Sequence, residues 1–80
     1  MRAFGYVRGD ETAEEPTELQ EVTLLCSVTD LRRLQAFIEK VIAERSADGT
    51  LDKGPWHDHF QDRDDGWTED EADVILSLPS

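Results

Sequence analysis

The chain has a single cysteine, Cys26, and that scarcity closes one route to stability. An internal disulfide needs two, and small secreted domains ordinarily depend on several, so a cytoplasmic location is expected. No apolar run approaches the roughly 18 residues that span a bilayer. The first residues, Met1 to Tyr6, also lack the apolar stretch of a signal peptide, which points the same way. Basic residues are scarce as well: eight Lys and Arg stand against 19 Asp and Glu in 80 residues, a formal net charge of −11. So few cations cannot neutralise a phosphate backbone, so nucleic-acid binding is not expected, and an anionic membrane surface would repel the chain.

What is present is enough for a folded domain. Hydrophobic residues make up 38% of the chain, above the level of disordered segments. The length accommodates one domain, residues 1–80. A domain of this size buries only about 60 to 65% of its unfolded surface and gains from a partner or a second copy.

Alternation of apolar residues predicts a short strand over residues 3–8, with Phe4 and Tyr6 on one side. An acidic, flexible loop follows near 9–18. The clearest period-two pattern covers residues 19–28, where Val22, Leu24, Cys26 and Val28 share one face, and it predicts a second strand. Between Asp30 and Ser46, Leu31, Leu34, Phe37, Ile38, Val41 and Ile42 recur at spacings of three and four, so an amphipathic helix with one buried stripe is expected. Ser27 or Thr29 is its N-cap, Arg32, Arg33, Glu39, Lys40, Glu44 and Arg45 form its outer face, and Asp48 with Gly49 stops it. Residues 56–61 read as a third strand with Trp56 and Phe60 on one face and His57 and His59 on the other. Residues 62–71 read as an acidic loop and residues 72–78 as a closing strand. The order ββαββ predicts an α+β two-layer sandwich, one antiparallel sheet of about four strands with the helix across one face. The other face is left to solvent or a partner, with Phe4, Tyr6, Leu25, Ile75, Trp56 and Trp67 as candidates for an apolar patch there.

The negative charge is unevenly distributed. Residues 1–18 hold five acids and two bases, residues 19–53 six and five, and residues 54–80 eight and one. Clustered carboxylates beside large aromatics combine steering charge with the rigid anchors of binding hot spots. The candidate partner-binding residues are therefore Trp56, Asp58, Phe60, Asp62, Asp64, Asp65, Trp67, Glu69 and Asp70, and the partner would be a basic protein. Acidity that serves solubility alone is the competing reading, with a homodimeric accessory or structural role through the second sheet face.

His57 and His59, two apart on a strand, point to one side and are candidate metal ligands, with Asp62 or Asp64 completing a site; the chain has no third His and no second Cys to extend it. Calcium fails on spacing, because with Gly66 at the glycine position of an EF-hand loop the first, third and twelfth positions become Gln61, Arg63 and Ala72. Nothing in the sequence buries a carboxyl to raise its pKa, Cys26 lies on an apolar strand face, and there is no phosphate loop or nucleophile elbow. A non-enzymatic protein without a cofactor is expected.

The strand from Val22 to Cys26, the following helix with Leu31, Leu34 and Ile38, the segment from His57 to Asp62 and the closing strand from Ala72 to Leu76 together resemble the immunity protein 32 family of bacterial polymorphic-toxin systems. Phe60 stands where that family pattern has an aliphatic residue. The resemblance implies a protein that binds and neutralises a cognate toxin.

Overall fold

In a computed structural model of the chain, which describes residues 1–10, 12 and 14–79, the elements are β1 (Ala3–Gly5), β2 (Thr17–Leu19), α1 (Val28–Ala47), β3 (Trp56–His59), α2 (Phe60–Arg63) and β4 (Ile75–Leu78). Glu11 and Ala13, in the loop expected near 9–18, lie outside the described residues.

Both ends of α1 follow from local chemistry. Ser27 takes an extended conformation and its hydroxyl accepts from the Asp30 N–H at 3.1 Å, while the Asp30 carboxylate accepts from the Ser27 N–H at 3.1 Å. This reciprocal capping box uses two donors that the first turn leaves unpaired, and it selects Ser27 over Thr29. At the other end Gly49 adopts φ 76°, and the Gly49 and Thr50 N–H groups donate to the carbonyls of Ser46 and Arg45. Those are the two bonds of a Schellman ending, and glycine takes the left-handed position without the penalty of a Cβ.

The α+β class holds, but the single four-stranded sheet does not form. β1 pairs antiparallel with β2 (Ala3↔Leu19, Phe4↔Glu18, Gly5↔Thr17), and β3 pairs antiparallel with β4 (Trp56↔Leu78, His57↔Ser77, Asp58↔Leu76, His59↔Ile75), giving two separate two-stranded sheets. The strand expected at 19–28 is the main correction. β2 covers only its first residue and starts inside the expected loop, residues 20–27 form no strand, and Val28 is drawn into the helix by the Ser27 cap. Alternation marks a segment with two unlike faces, but a strand also needs a neighbour for its N–H and C=O groups, and β3 finds that neighbour in β4. Val22 and Leu24 are consequently exposed, and Cys26 is half-buried. The other strands are shorter than expected: β1 ends at Gly5, β3 gives way at Phe60 to the one-turn helix α2, and β4 begins at Ile75.

The core lies between α1, α2 and the inner face of the β3–β4 sheet. Phe37, Val41 and Phe60 are buried, and Leu34, Trp56, Trp67, Val74 and Leu76 pack against them. The Phe37 and Phe60 rings meet edge to face with centroids 5.4 Å apart, a geometry that adds about 1 kcal/mol to their area burial. Of the stripe expected to be buried, Leu31, Ile38 and Ile42 remain exposed. Two strands form a ribbon only about 5 Å wide between their axes, too narrow to cover the whole apolar arc of a helix. Gly54 packs so closely on the end of β4 that a Cβ there would lie 2.1 Å from the Pro79 carbonyl oxygen.

The outer face of the β3–β4 sheet looks across a groove of about 740 Å³ to the N-terminal hairpin, with Phe4, Tyr6 and Val7 on one wall and Ile75 and Ser77 on the other. Three residues of the patch expected on this face, Phe4, Tyr6 and Ile75, therefore do line one space. Trp56 and Trp67 belong to the core instead, and Leu25 stands 99% exposed outside the groove.

Candidate functional site

The two-residue period of β3 decides where the acidic segment begins its course. Trp56 and Asp58 face α1, and Phe60 follows on the same side. His57 and His59 face away, their rings 5.4 Å apart. A carboxylate thus enters the apolar layer between two aromatic residues, and Asp58 is only 7% exposed.

An ion in that position requires compensation. Arg45 Nε donates to Asp58 Oδ2 at 3.2 Å and Arg63 Nη2 donates to Oδ1 at 2.9 Å. Burial presses the Asp58 pKa upward, but the two guanidinium groups outweigh it, and the carboxyl lies below its ordinary value. Arg63 also donates to Glu44, and Glu44 first and Asp58 second hold its own pKa above the ordinary arginine value. The Arg45 guanidinium rests over the Trp56 ring at 5.0 Å, so the same side chain serves an ion pair and a cation–π contact.

Arg33 forms a second centre. Its Nη2 and Nε donate to Asp64 Oδ2 at 2.6 and 3.0 Å, and its Nη1 donates to Glu71 at 3.0 Å and to Asp30 at 3.1 Å. The guanidinium lies over Phe60 at 5.3 Å. Asp64 and then Glu71 raise its pKa further above an already high value. Three carboxylates around one planar cation tie the acidic loop to the first turns of α1. A third tie joins His59 Nδ1 to Asp73 Oδ2 at 2.6 Å, and Asp73 Oδ1 accepts from the Gln61 N–H at the start of α2.

The eight acids of residues 54–80 therefore divide evenly. Asp58, Asp64 and Glu71 are ion-paired within the fold and Asp73 is hydrogen-bonded to His59. Asp62, Asp65, Glu69 and Asp70 are exposed and, among the described residues, enter no ion pair. Asp70 accepts from the Thr68 hydroxyl, which lowers its pKa, and its carbonyl accepts from Arg8 Nη2 at 3.1 Å.

This division corrects the expected docking set. Asp58 and Phe60 are buried and hold the fold together, because they share the inner face of β3 and its extension. Trp56 and Trp67 are half-buried against the core, their indole N–H groups donating to the Leu51 and Ala72 carbonyls. Asp64 is turned inward onto Arg33. What remains on the surface is Asp62, Asp65, Glu69 and Asp70 with the outer part of Trp67. Arg33 and Arg45, expected on the solvent side of α1, instead make the central pairs. Their spacing carried the signal, since Arg33 is one turn before Phe37 and Arg45 one turn after Val41.

His57 and His59 do share a side, but no group of three or more His, Cys, Asp or Glu among the described residues is placed to hold a metal ion. His59 is engaged by Asp73 and Asp64 by Arg33, so the two imidazoles gather no third ligand. No helix among the described residues is long and apolar enough to cross a membrane. Comparison of the chain with protein-family models, with curated proteins and with solved structures returned no match.

Proposed function

We propose that this chain is a non-catalytic binding module that offers Asp62, Asp65, Glu69 and Asp70, with Trp67 in the same loop, to a basic protein. One observation carries the reading. The acids enclosed by the fold have cationic or imidazole partners, whereas these four enter no ion pair among the described residues, with Arg8 reaching Asp70 only at its backbone carbonyl, and leave a net negative field at the surface. A field of that kind raises association rates with a cationic surface and suppresses anionic partners. The half-buried indole supplies a rigid apolar contact beside it. A toxin with a positive substrate cleft has the matching chemistry, and the resemblance to immunity proteins names that class of partner.

The test replaces the four acids together, as Asp62→Asn, Asp65→Asn, Glu69→Gln and Asp70→Asn, and measures association with a basic protein captured by the wild-type chain and identified by mass spectrometry. The expected result is an association rate at least about tenfold lower at low salt, a smaller difference at high salt, and an unchanged melting temperature. Binding unaltered at every salt concentration refutes the reading and leaves solubility as the role of the charge.

A further inference from the structure

The exposed half of α1 follows a heptad. Val28, Leu31, Gln35, Ile38 and Ile42 succeed one another at spacings of three and four, and Val28, Leu31, Ile38 and Ile42 are 67%, 57%, 44% and 48% exposed. At 100° per residue these side chains form one seam beside the half-buried Leu34 and the buried Phe37 and Val41. We propose that this seam is a homodimer interface, occupied by α1 of a second copy running antiparallel about a two-fold axis near residues 36 and 37.

Three observations select a second copy as the occupant. The first is charge. Helix α1 holds four bases and three acids, so it is net positive by one on a chain of −11, and it is the surface where two such chains approach with least repulsion. The second is self-complementarity. The antiparallel arrangement sets Leu31 against Ile42 of the second copy and Ile38 against its Gln35, and the symmetry repeats both contacts. In the same register Arg32, which has no ion pair among the described residues, lies within two residues of Glu39 of the second copy, an offset of about 3 Å that the two long side chains span, and the symmetry repeats the pair on the same flank. A parallel pairing would not join those charges. The third is area. The four apolar side chains expose about 400 Å² per copy, and covering Gln35, Arg32 and Glu39 with them brings the face to roughly 600 Å² per partner, the lower end of specific interfaces.

The seam also contains its own weakness. Gln35 is the single polar residue among the five, and its amide donates to Glu39 within the chain at 3.4 Å. Bringing it against Ile38 removes water from an amide that the partner cannot satisfy. The dimer is therefore expected to form on the order of 10 µM rather than at nanomolar concentration.

Sedimentation equilibrium from about 1 to 200 µM tests this on the full chain. The wild type should pass from monomer to dimer across that range. Gln35→Leu should tighten the dimer at least fivefold, and Ile38→Glu should abolish it while leaving the far-ultraviolet circular dichroism unchanged. Arg32→Glu and Glu39→Arg should each weaken it, and the double exchange should restore it. Glu39→Arg is the discriminating variant, because it lowers the net negative charge and would strengthen any association limited by general repulsion. A wild type that stays monomeric throughout overturns the proposal, as does a dimer indifferent to Ile38→Glu. If the seam is protected from hydrogen exchange only when a basic protein is added, it belongs to a heterologous partner and the proposal is wrong.

Discussion

Asp58 and Asp62 lie four residues apart in one acidic segment, yet one is enclosed between two arginines and the other faces water. The difference arises from β3. Its alternation sends Asp58 inward with Trp56, where a lone carboxylate would be untenable, and Arg45 and Arg63 converge on it from α1 and α2. Asp62 lies in the single turn of α2, where no apolar layer receives it. Residues of identical chemistry thus perform two tasks: the inner carboxylates bind the C-terminal third to the helix, and the outer ones set the field of the surface.

The contrast is broken most severely from the apolar side. Phe60→Ala removes one of three buried apolar side chains among the described residues, and with it the surface on which Arg33 rests. A loss of about 3 to 4 kcal/mol is expected in chemical denaturation, a large share of the roughly 5 to 15 kcal/mol that holds a small domain. Asp58→Asn comes next. It leaves Arg45 and Arg63 without their central anion, and because both are partly exposed the expected loss is about 2 to 3 kcal/mol, at the lower end for a broken buried pair.

Acid should sharpen the same comparison. The folded pKa of Asp58 is depressed, so its contribution is complete above the unfolded value of about 4 and disappears as pH falls through the folded value. The Asp58 contribution should stay constant from pH 7 to pH 5 and decline below pH 4. The gap between wild type and Asp58→Asn should narrow between pH 5 and pH 2, and a gap constant with pH would contradict the ion-pair account. At the small end, Asp62→Asn and Asp65→Asn should each change stability by less than about 0.5 kcal/mol. A larger loss in either would place it among the inner carboxylates.

Local chemistry was readable where the deciding partners are near in sequence. The capping box of Ser27 and Asp30 and the Gly49 ending bound α1 almost where the pattern of Leu34, Phe37 and Val41 placed it. The strands Trp56 to His59 and Ile75 to Leu78 fall within the longer spans 56–61 and 72–78 that alternation predicted, although their pairing as a separate ribbon did not follow from it. The segment around Val22 and Leu24 was not legible in this way, because the same alternation serves a paired strand and an unpaired stretch, and pairing is a property of the neighbour. For the candidate site, composition located the acidic segment but could not separate Asp58 and Asp64 from Asp62 and Asp65, since that depends on which carboxylates meet a guanidinium.

By itself the sequence determined the α+β class, the long helix, the concentration of negative charge in the last third and the scarcity of basic residues. These depend on residue type and short-range spacing. Tertiary structure alone decided that four strands form two ribbons instead of one sheet, that Arg33, Arg45 and Arg63 neutralise an inner tier of acids, and that half of the α1 apolar arc is left uncovered. Each of those outcomes turns on which long-range partners a group meets, and backbone pairing, ion pairing and burial have no value until that partner is in place.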